Sequence, residues 1–112
     1  MAITVQASGT QLAVIGTEHI LFNNYATSGS YRFDVDLGNM AGGDTVELRL
    51  YTKVLSTGTE HLHSYATFTG AVAADNPIIQ ESLVLSSDLG CKCTLKQTAG
   101  TGRNFDWKTV TL

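Results

Sequence analysis

SYRFDVDL, residues Ser30–Leu37, alternates apolar and polar side chains along its whole length. Successive side chains of an extended chain point to opposite faces, so one face of this segment is apolar, formed by Tyr31, Phe33, Val35 and Leu37. The opposite face carries an arginine and two aspartates. The segment therefore predicts a half-buried β-strand, which needs partner strands to cover its apolar face.

The same alternation returns after a glycine-rich connection. Polar or charged residues separate Val46, Leu48, Leu50 and Val54, which predicts a second half-buried strand whose apolar face ends at Val54. The connection, residues 38–44, is too rich in glycine for a helix and reads as a loop.

Seven further strands are predicted from short β-branched or aromatic runs that are separated by turn-forming residues. They are Ile3–Ala7, Gln11–Ile15, Glu18–Phe22, His61–Thr69, Ile78–Leu85, Cys91–Gln97 and Phe105–Thr111. Ser8-Gly9 is the predicted turn between the first two. Only Gly70–Glu81 has a helical character, and Pro77 interrupts it.

Strands at this spacing predict an all-β fold in which two antiparallel sheets bury their apolar faces against each other. The length fits one core, so residues 1–112 are assigned to a single β-sandwich domain. An immunoglobulin sandwich places a tryptophan between two cysteines, whereas Trp107 follows both Cys91 and Cys93. We therefore expect a jelly-roll-like sandwich with at most one short helix.

The composition excludes several classes of function. The net charge of −3 gives no long-range attraction to nucleic acid or to an anionic membrane. No apolar run approaches the roughly 20 residues of a membrane-spanning helix, and the first residues lack the features of a secretory signal. Charged residues form only 15% of the chain, which indicates either a threonine-rich exterior facing water or a surface covered in an assembly.

Two pairs of potential metal ligands occur in predicted strands. If their strands were neighbours, His61, His63, Cys91 and Cys93 could present four zinc ligands to one side. The alternative is a buried row of small thiols with Lys92 facing outward. We favour the buried row, with free thiols, because cysteines two residues apart on a strand are at the limit of disulfide geometry. No metal or cofactor is assigned.

No group of residues indicates a catalytic centre. Asp34 and Asp36 could act as paired carboxylates, but a solvated strand face explains them better, because nothing marks a cleft. His19 accompanies no recognisable nucleophile motif. The glycine clusters lack the residues that phosphate and dinucleotide loops require. We expect no enzyme activity.

Basic and aromatic residues are interleaved near the C-terminal end. This pattern could form a nucleic-acid surface of cations and stacking rings, or a core-facing pair of rings with exposed lysines. We favour core packing of Phe105 and Trp107, with the lysines exposed. The basic residues concerned are Lys92, Lys96, Arg103 and Lys108.

The block Ser86–Lys108, SSDLGCKCTLKQTAGTGRNFDWK, resembles the ending of small structural proteins encoded by tailed bacteriophages. In those proteins a Leu-Lys-Gln-Thr strand, a Gly-Thr-Gly turn and a Phe-x-Trp strand form a closing hairpin. The corresponding residues here are Leu95–Thr98, Gly100–Gly102 and Phe105–Trp107.

The resemblance implies a capsid decoration or cement protein located in the virion and assembled in the host cytoplasm. Its partner would be the major capsid protein, it would form a dimer or trimer, and its first strand could extend the sheet of a neighbour. Binding only the mature lattice would stabilise the head by mass action. Two alternatives stay open: a tail, baseplate or head–tail connector subunit, and a carbohydrate-binding module with Tyr25, Tyr51 and Tyr65 as candidate sugar contacts.

Overall fold

The computed structural model describes residues 3–70, 79–81 and 84–112. Within these ranges the chain forms strands and connections without a helix. The strands are β1 (Thr4–Leu12), β2 (Glu18–Asn24), β3 (Gly29–Asp36), β4 (Thr45–Thr52), β5 (His61–Thr69), β6 (Ile79–Glu81), β7 (Leu85–Ser87), β8 (Cys91–Ala99) and β9 (Asn104–Thr111). The segment with helical character falls mostly on residues 71–78, outside the described residues, and its last three residues are β6.

The strands form two antiparallel sheets that pack together as a sandwich. Sheet A has the order β1-β9-β3-β6, with β7 also paired to β3, and sheet B has the order β2-β8-β4-β5. Counting β6 and β7 as one interrupted strand beside β3 gives the strand orders 1-8-3-6 and 2-7-4-5, which are those of a jelly roll. The predicted all-β, jelly-roll-like sandwich is confirmed.

The core forms where the predicted apolar faces of the two sheets meet. Tyr31, Phe33, Val35 and Leu37 are all at most 2% exposed and belong to one buried cluster. From sheet B, the opposing side chains include Leu48 and the row Cys91, Cys93 and Leu95. Burying one such large apolar side chain contributes about 1.5–3 kcal/mol, so this interface is the main source of stability.

Val54 does not belong to the buried face, contrary to the prediction. Strand β4 ends at Thr52, and a bulge between Leu50 and Tyr51 shifts its register against β5. Val54 therefore lies in the following connection with 85% of its surface exposed.

The predicted turn at Ser8-Gly9 is also wrong, because β1 runs unbroken from Thr4 to Leu12. Gly9 lies opposite Trp107 of β9, and a Cβ on Gly9 would come 3.5 Å from the indole nitrogen. The glycine thus makes room for a large ring on the neighbouring strand, which is a common use of glycine inside a strand.

The predicted strand Gln11–Ile15 is not a separate strand, because Gln11 and Leu12 end β1 and residues 13–15 lie in the connection to β2. The closing hairpin that the resemblance implies is not formed either, because β8 and β9 belong to different sheets.

The remaining predicted strands differ from the structure mainly at their ends. The predicted strand Ile78–Leu85 falls partly outside the described residues, and what is described there is β6 and β7, both paired with β3. Strand β8 lies between glycines that both have positive φ. A Cβ would come 2.0 Å from the Asn24 carbonyl oxygen at Gly90, and 2.0 Å from Oδ1 of Asp44 at Gly100.

Asp44 ties together two connections at one end of the sandwich. Its carboxylate is fully buried and accepts backbone hydrogen bonds from Ala41 at 2.9 Å and Thr101 at 3.1 Å. The Nε of Arg103 donates to it at 3.0 Å. The loop before β4 and the turn between β8 and β9 are joined by this one side chain.

Candidate functional site

The four candidate zinc ligands are not brought together. Strand β4 lies between β5, which carries His61 and His63, and β8, which carries Cys91 and Cys93. Both histidines are exposed, whereas both cysteines point into the core with no exposed surface. Among the described residues no cluster of histidine, cysteine and carboxylate side chains has the geometry for a metal ion.

The cysteines form the buried row that the alternation predicted. Both thiols are free, and Leu95 continues their row while Lys92 and Lys96 lie on the opposite side of β8. A hydrogen bond with Cys91, together with burial, raises the pKa of the Cys93 thiol. A thiol held in its protonated form is a poor nucleophile and a poor metal ligand.

Asp34 and Asp36 both lie on the outer face of sheet A, but in different environments. Asp36 is exposed and accepts a hydrogen bond from the backbone of Gly38 at 2.8 Å. Asp34 is only 4% exposed, and its carboxylate pairs with Arg32 at 2.9 Å and 3.0 Å. The solvated strand face therefore describes Asp36 but not Asp34.

The basic and aromatic residues of the last two strands do not form a stacking surface. Phe105 is fully buried and Trp107 packs against the core. Lys92 pairs with Glu60 at 2.5 Å, and Arg103 is bound to Asp44. His19 is likewise a packed side chain, whose Nε2 accepts the backbone N–H of Val14 at 3.0 Å.

The outer face of sheet B carries a hydrogen-bonded polar layer. Glu18 of β2 accepts from the hydroxyls of Tyr51 at 2.5 Å and Thr94 at 2.7 Å. Arg49 donates to Tyr51 at 3.2 Å and pairs with Glu47. Burial raises the pKa of Glu18, but these hydrogen bonds and the nearby cations outweigh it and lower the pKa overall.

Next to this layer, a polar clamp holds the base of the β4–β5 loop, residues 53–60. The ammonium of Lys53 lies 4.6 Å from the centre of the Tyr25 ring, and the Tyr25 hydroxyl donates to Glu60 at 2.6 Å. Lys92 binds the same carboxylate. The two ends of the loop are thus tied to a single tyrosine on the neighbouring β2–β3 connection.

The clamped loop displays two consecutive apolar side chains. Val54 is 85% exposed and Leu55 is 66% exposed. The backbone N–H of Gly58 donates to the Leu55 carbonyl at 2.9 Å, which closes a turn just behind them. We call Val54 and Leu55 the apolar tip. The sequence alone does not reveal the exposure of this tip, because Val54 continues the alternating pattern of β4.

Two of the three candidate sugar-contacting tyrosines are engaged by neighbouring side chains. A lysine ammonium lies 4.6 Å from the ring centre of Tyr25, and another lies 4.4 Å from that of Tyr51. Both hydroxyls are engaged with glutamates. Tyr65 is 65% exposed on the edge strand β5.

In addition to the apolar tip, an exposed surface without charged residues runs along β1 and the connection that follows it. The first charged residue of the chain is Glu18. Before it, five large apolar side chains are more than two-fifths exposed: Ile3, Val5, Leu12, Val14 and Ile15. Strand β1 and this connection therefore form an edge of the sandwich that has no charged residue of its own.

Comparison with known proteins adds no identification. No family model, curated protein or solved structure matches this chain. In the part of the chain that the structure describes, no helix is long and apolar enough to cross a membrane.

Proposed function

We propose that this protein is a virion structural protein of the capsid decoration type, which binds the major capsid protein on the outer surface of a tailed-phage head and stabilises the shell. It acts by binding and packing, without a reaction of its own. The observation that carries the proposal is the apolar tip, which is exposed on a loop whose base is held by the polar clamp.

A preordered apolar tip suits attachment to a protein surface. Exposed valine and leucine side chains gain free energy only when a partner removes them from water. A loop that is already ordered loses less conformational entropy on binding, so more of that gain becomes affinity. Many copies on a symmetric shell multiply the effect of each modest contact.

The sequence resemblance of the block Ser86–Lys108 supports placing the protein in a virion. This block forms β8, a tight turn and β9, but β8 belongs to sheet B and β9 to sheet A, so the two strands do not form the closing hairpin that the resemblance implies. The turn is held by the Asp44 carboxylate and by Gln97, whose Nε2 donates to the Thr101 carbonyl at 2.7 Å.

The proposal is tested by adding the purified protein to phage heads that lack it. We expect saturable binding in hundreds of copies per head and greater resistance of the heads to heat. Absence of binding together with unchanged heat resistance would end the proposal. A handful of copies per particle would instead favour a tail or connector subunit.

The role of the apolar tip is tested with the double variant V54S/L55S. Both side chains are exposed, so the variant should fold like the parent, while head binding should weaken at least ten-fold because each side chain is worth about 1 kcal/mol or more at an interface. The matched control is V14S/I15S, a second pair of consecutive exposed apolar residues. Equal binding by both variants would show that the tip is not the attachment point.

A further inference from the structure

Strand β1 has one edge without a partner among the described residues. Eight residue pairs join β1 to β9 on its other side. Seven of its nine residues are exposed, two are half-buried and none is buried. The backbone groups along this edge therefore have no strand partner in the described part of the chain.

This edge has only one of the features that usually prevent strand pairing. Natural edge strands are protected by lysine, by proline, by inward-pointing charges, by β-bulges or by shortness. Strand β1 has nine residues with neither charge nor proline, and its one irregularity is a bulge between Val5 and Ala7. Its length, roughly 30 Å at about 3.4 Å per residue, is that of a full sheet edge.

From these features we propose that β1 pairs antiparallel with β1 of a second copy, so that two sandwiches share one continuous sheet. Two identical neutral strands meet without like-charge repulsion, which is the electrostatic condition for self-pairing. A two-fold axis makes the contact self-complementary and closed, so assembly through this edge stops at the dimer. The same edge pairing with a different protein is the competing outcome.

The exposed apolar residues of β1 fit this arrangement. Val5 and Leu12 lie near opposite ends of the strand and on the same outer face as Ser8, judged from their partners Val110, Asn104 and Lys108 on β9. Antiparallel pairing brings the Val5 end of one strand beside the Leu12 end of the other, at both ends of the interface. Both side chains, 53% and 57% exposed in the monomer, are then covered.

Ser8 at the middle of β1 gives a charge-swap test. It lies opposite Lys108 and beside the carboxylates of Asp34 and Asp106, so either charge at position 8 has an opposite charge within its own chain. In the dimer, S8E or S8K places like charges close together across the axis. Each variant alone should dimerise at least ten-fold more weakly than the parent, and an equimolar mixture should form S8E–S8K heterodimers.

Light scattering with size exclusion and native mass spectrometry report these states directly. The parent should have about twice the 12.0 kDa chain mass, and its β1 amides should exchange hydrogen more slowly as concentration rises. The matched controls T98E and T98K alter an exposed residue of the central strand β8 and should leave the dimer intact.

A parent that is monomeric at high micromolar concentration would overturn the proposal, as would dimers of S8E and S8K as tight as the parent's. These measurements use the purified protein without phage heads, so a failure to dimerise can be distinguished from a failure to bind heads.

Discussion

Replacing Asp44 by alanine should be the most damaging single change outside the apolar core. It leaves the backbone N–H groups of Ala41 and Thr101 without an acceptor, at roughly 1–3 kcal/mol each when buried. Arg103 also loses its partner, but its side chain is 33% exposed, so water compensates much of that loss. We expect a decrease in unfolding free energy of about 3 kcal/mol, mainly from the two N–H groups left without an acceptor.

Thermal and urea unfolding followed by circular dichroism measure this decrease. With an unfolding entropy of roughly 2.1 cal/mol/K per residue, 3 kcal/mol corresponds to a Tm about 13 °C lower. The matched control is D36A, which removes an exposed carboxylate with one backbone hydrogen bond and should cost less than about 1 kcal/mol. If D44A and D36A melted at the same temperature, the carboxylate would not join the two connections.

The stabilisation by Asp44 should also depend on pH. The hydrogen bond from Ala41, aided by Arg103 and Thr101 and opposed by burial, lowers the pKa of this carboxyl in the folded chain. Its contribution is therefore complete above the unfolded pKa, about 3.9, and is lost as pH falls through the lower folded pKa. The difference in unfolding free energy between parent and D44A should be constant near neutral pH and shrink below about pH 4.

Other predictions concern the clamp and the thiols. Burial and the hydrogen bond to Glu60 raise the pKa of Tyr25, and burial raises the pKa of Tyr31. Absorbance titration of the phenols should therefore show two tyrosines that stay protonated above pH 10. The stability associated with Tyr25 is full below pH 10 and declines as pH rises further. The variant Y25F removes the donor to Glu60, should cost about 1 kcal/mol, and should speed proteolysis within residues 53–60; unchanged cleavage would contradict the clamp. Cys91 and Cys93 should react with a thiol reagent only after unfolding, whereas fast labelling of native protein would contradict their burial.

Alternation predicted the interior of the sandwich because it reports directly on which side chains leave water. The apolar faces of β3 and β8 were predicted residue by residue, and the thiols of β8 proved to be core side chains. The order of strands is not encoded in any local pattern. The separation of His61 from Cys91 by β4 therefore became visible only in the fold.

The errors share one physical cause, which is a partner distant in sequence. Gly9 was read as part of a turn, but the indole of Trp107 on another strand explains it. Val54 continues an alternating pattern, yet β4 ends at Thr52, and Lys53 and Glu60 at the two ends of the following loop contact Tyr25. Asp44 stands in a glycine-rich loop like an ordinary turn residue, and its acceptor role depends on a turn more than fifty residues later.

The two glycines at the ends of β8, Gly90 and Gly100, fix the length of this strand. Neither position can accept a Cβ, so each must remain a glycine. An added or deleted residue inside β8 would place a different residue at one of these positions. A one-residue change inside β8 would turn part of it over and bring thiols or Leu95 to the surface. A change in the length of this central strand is therefore more disruptive than a substitution within it, while the connection at residues 53–60 can lengthen without shifting a buried row.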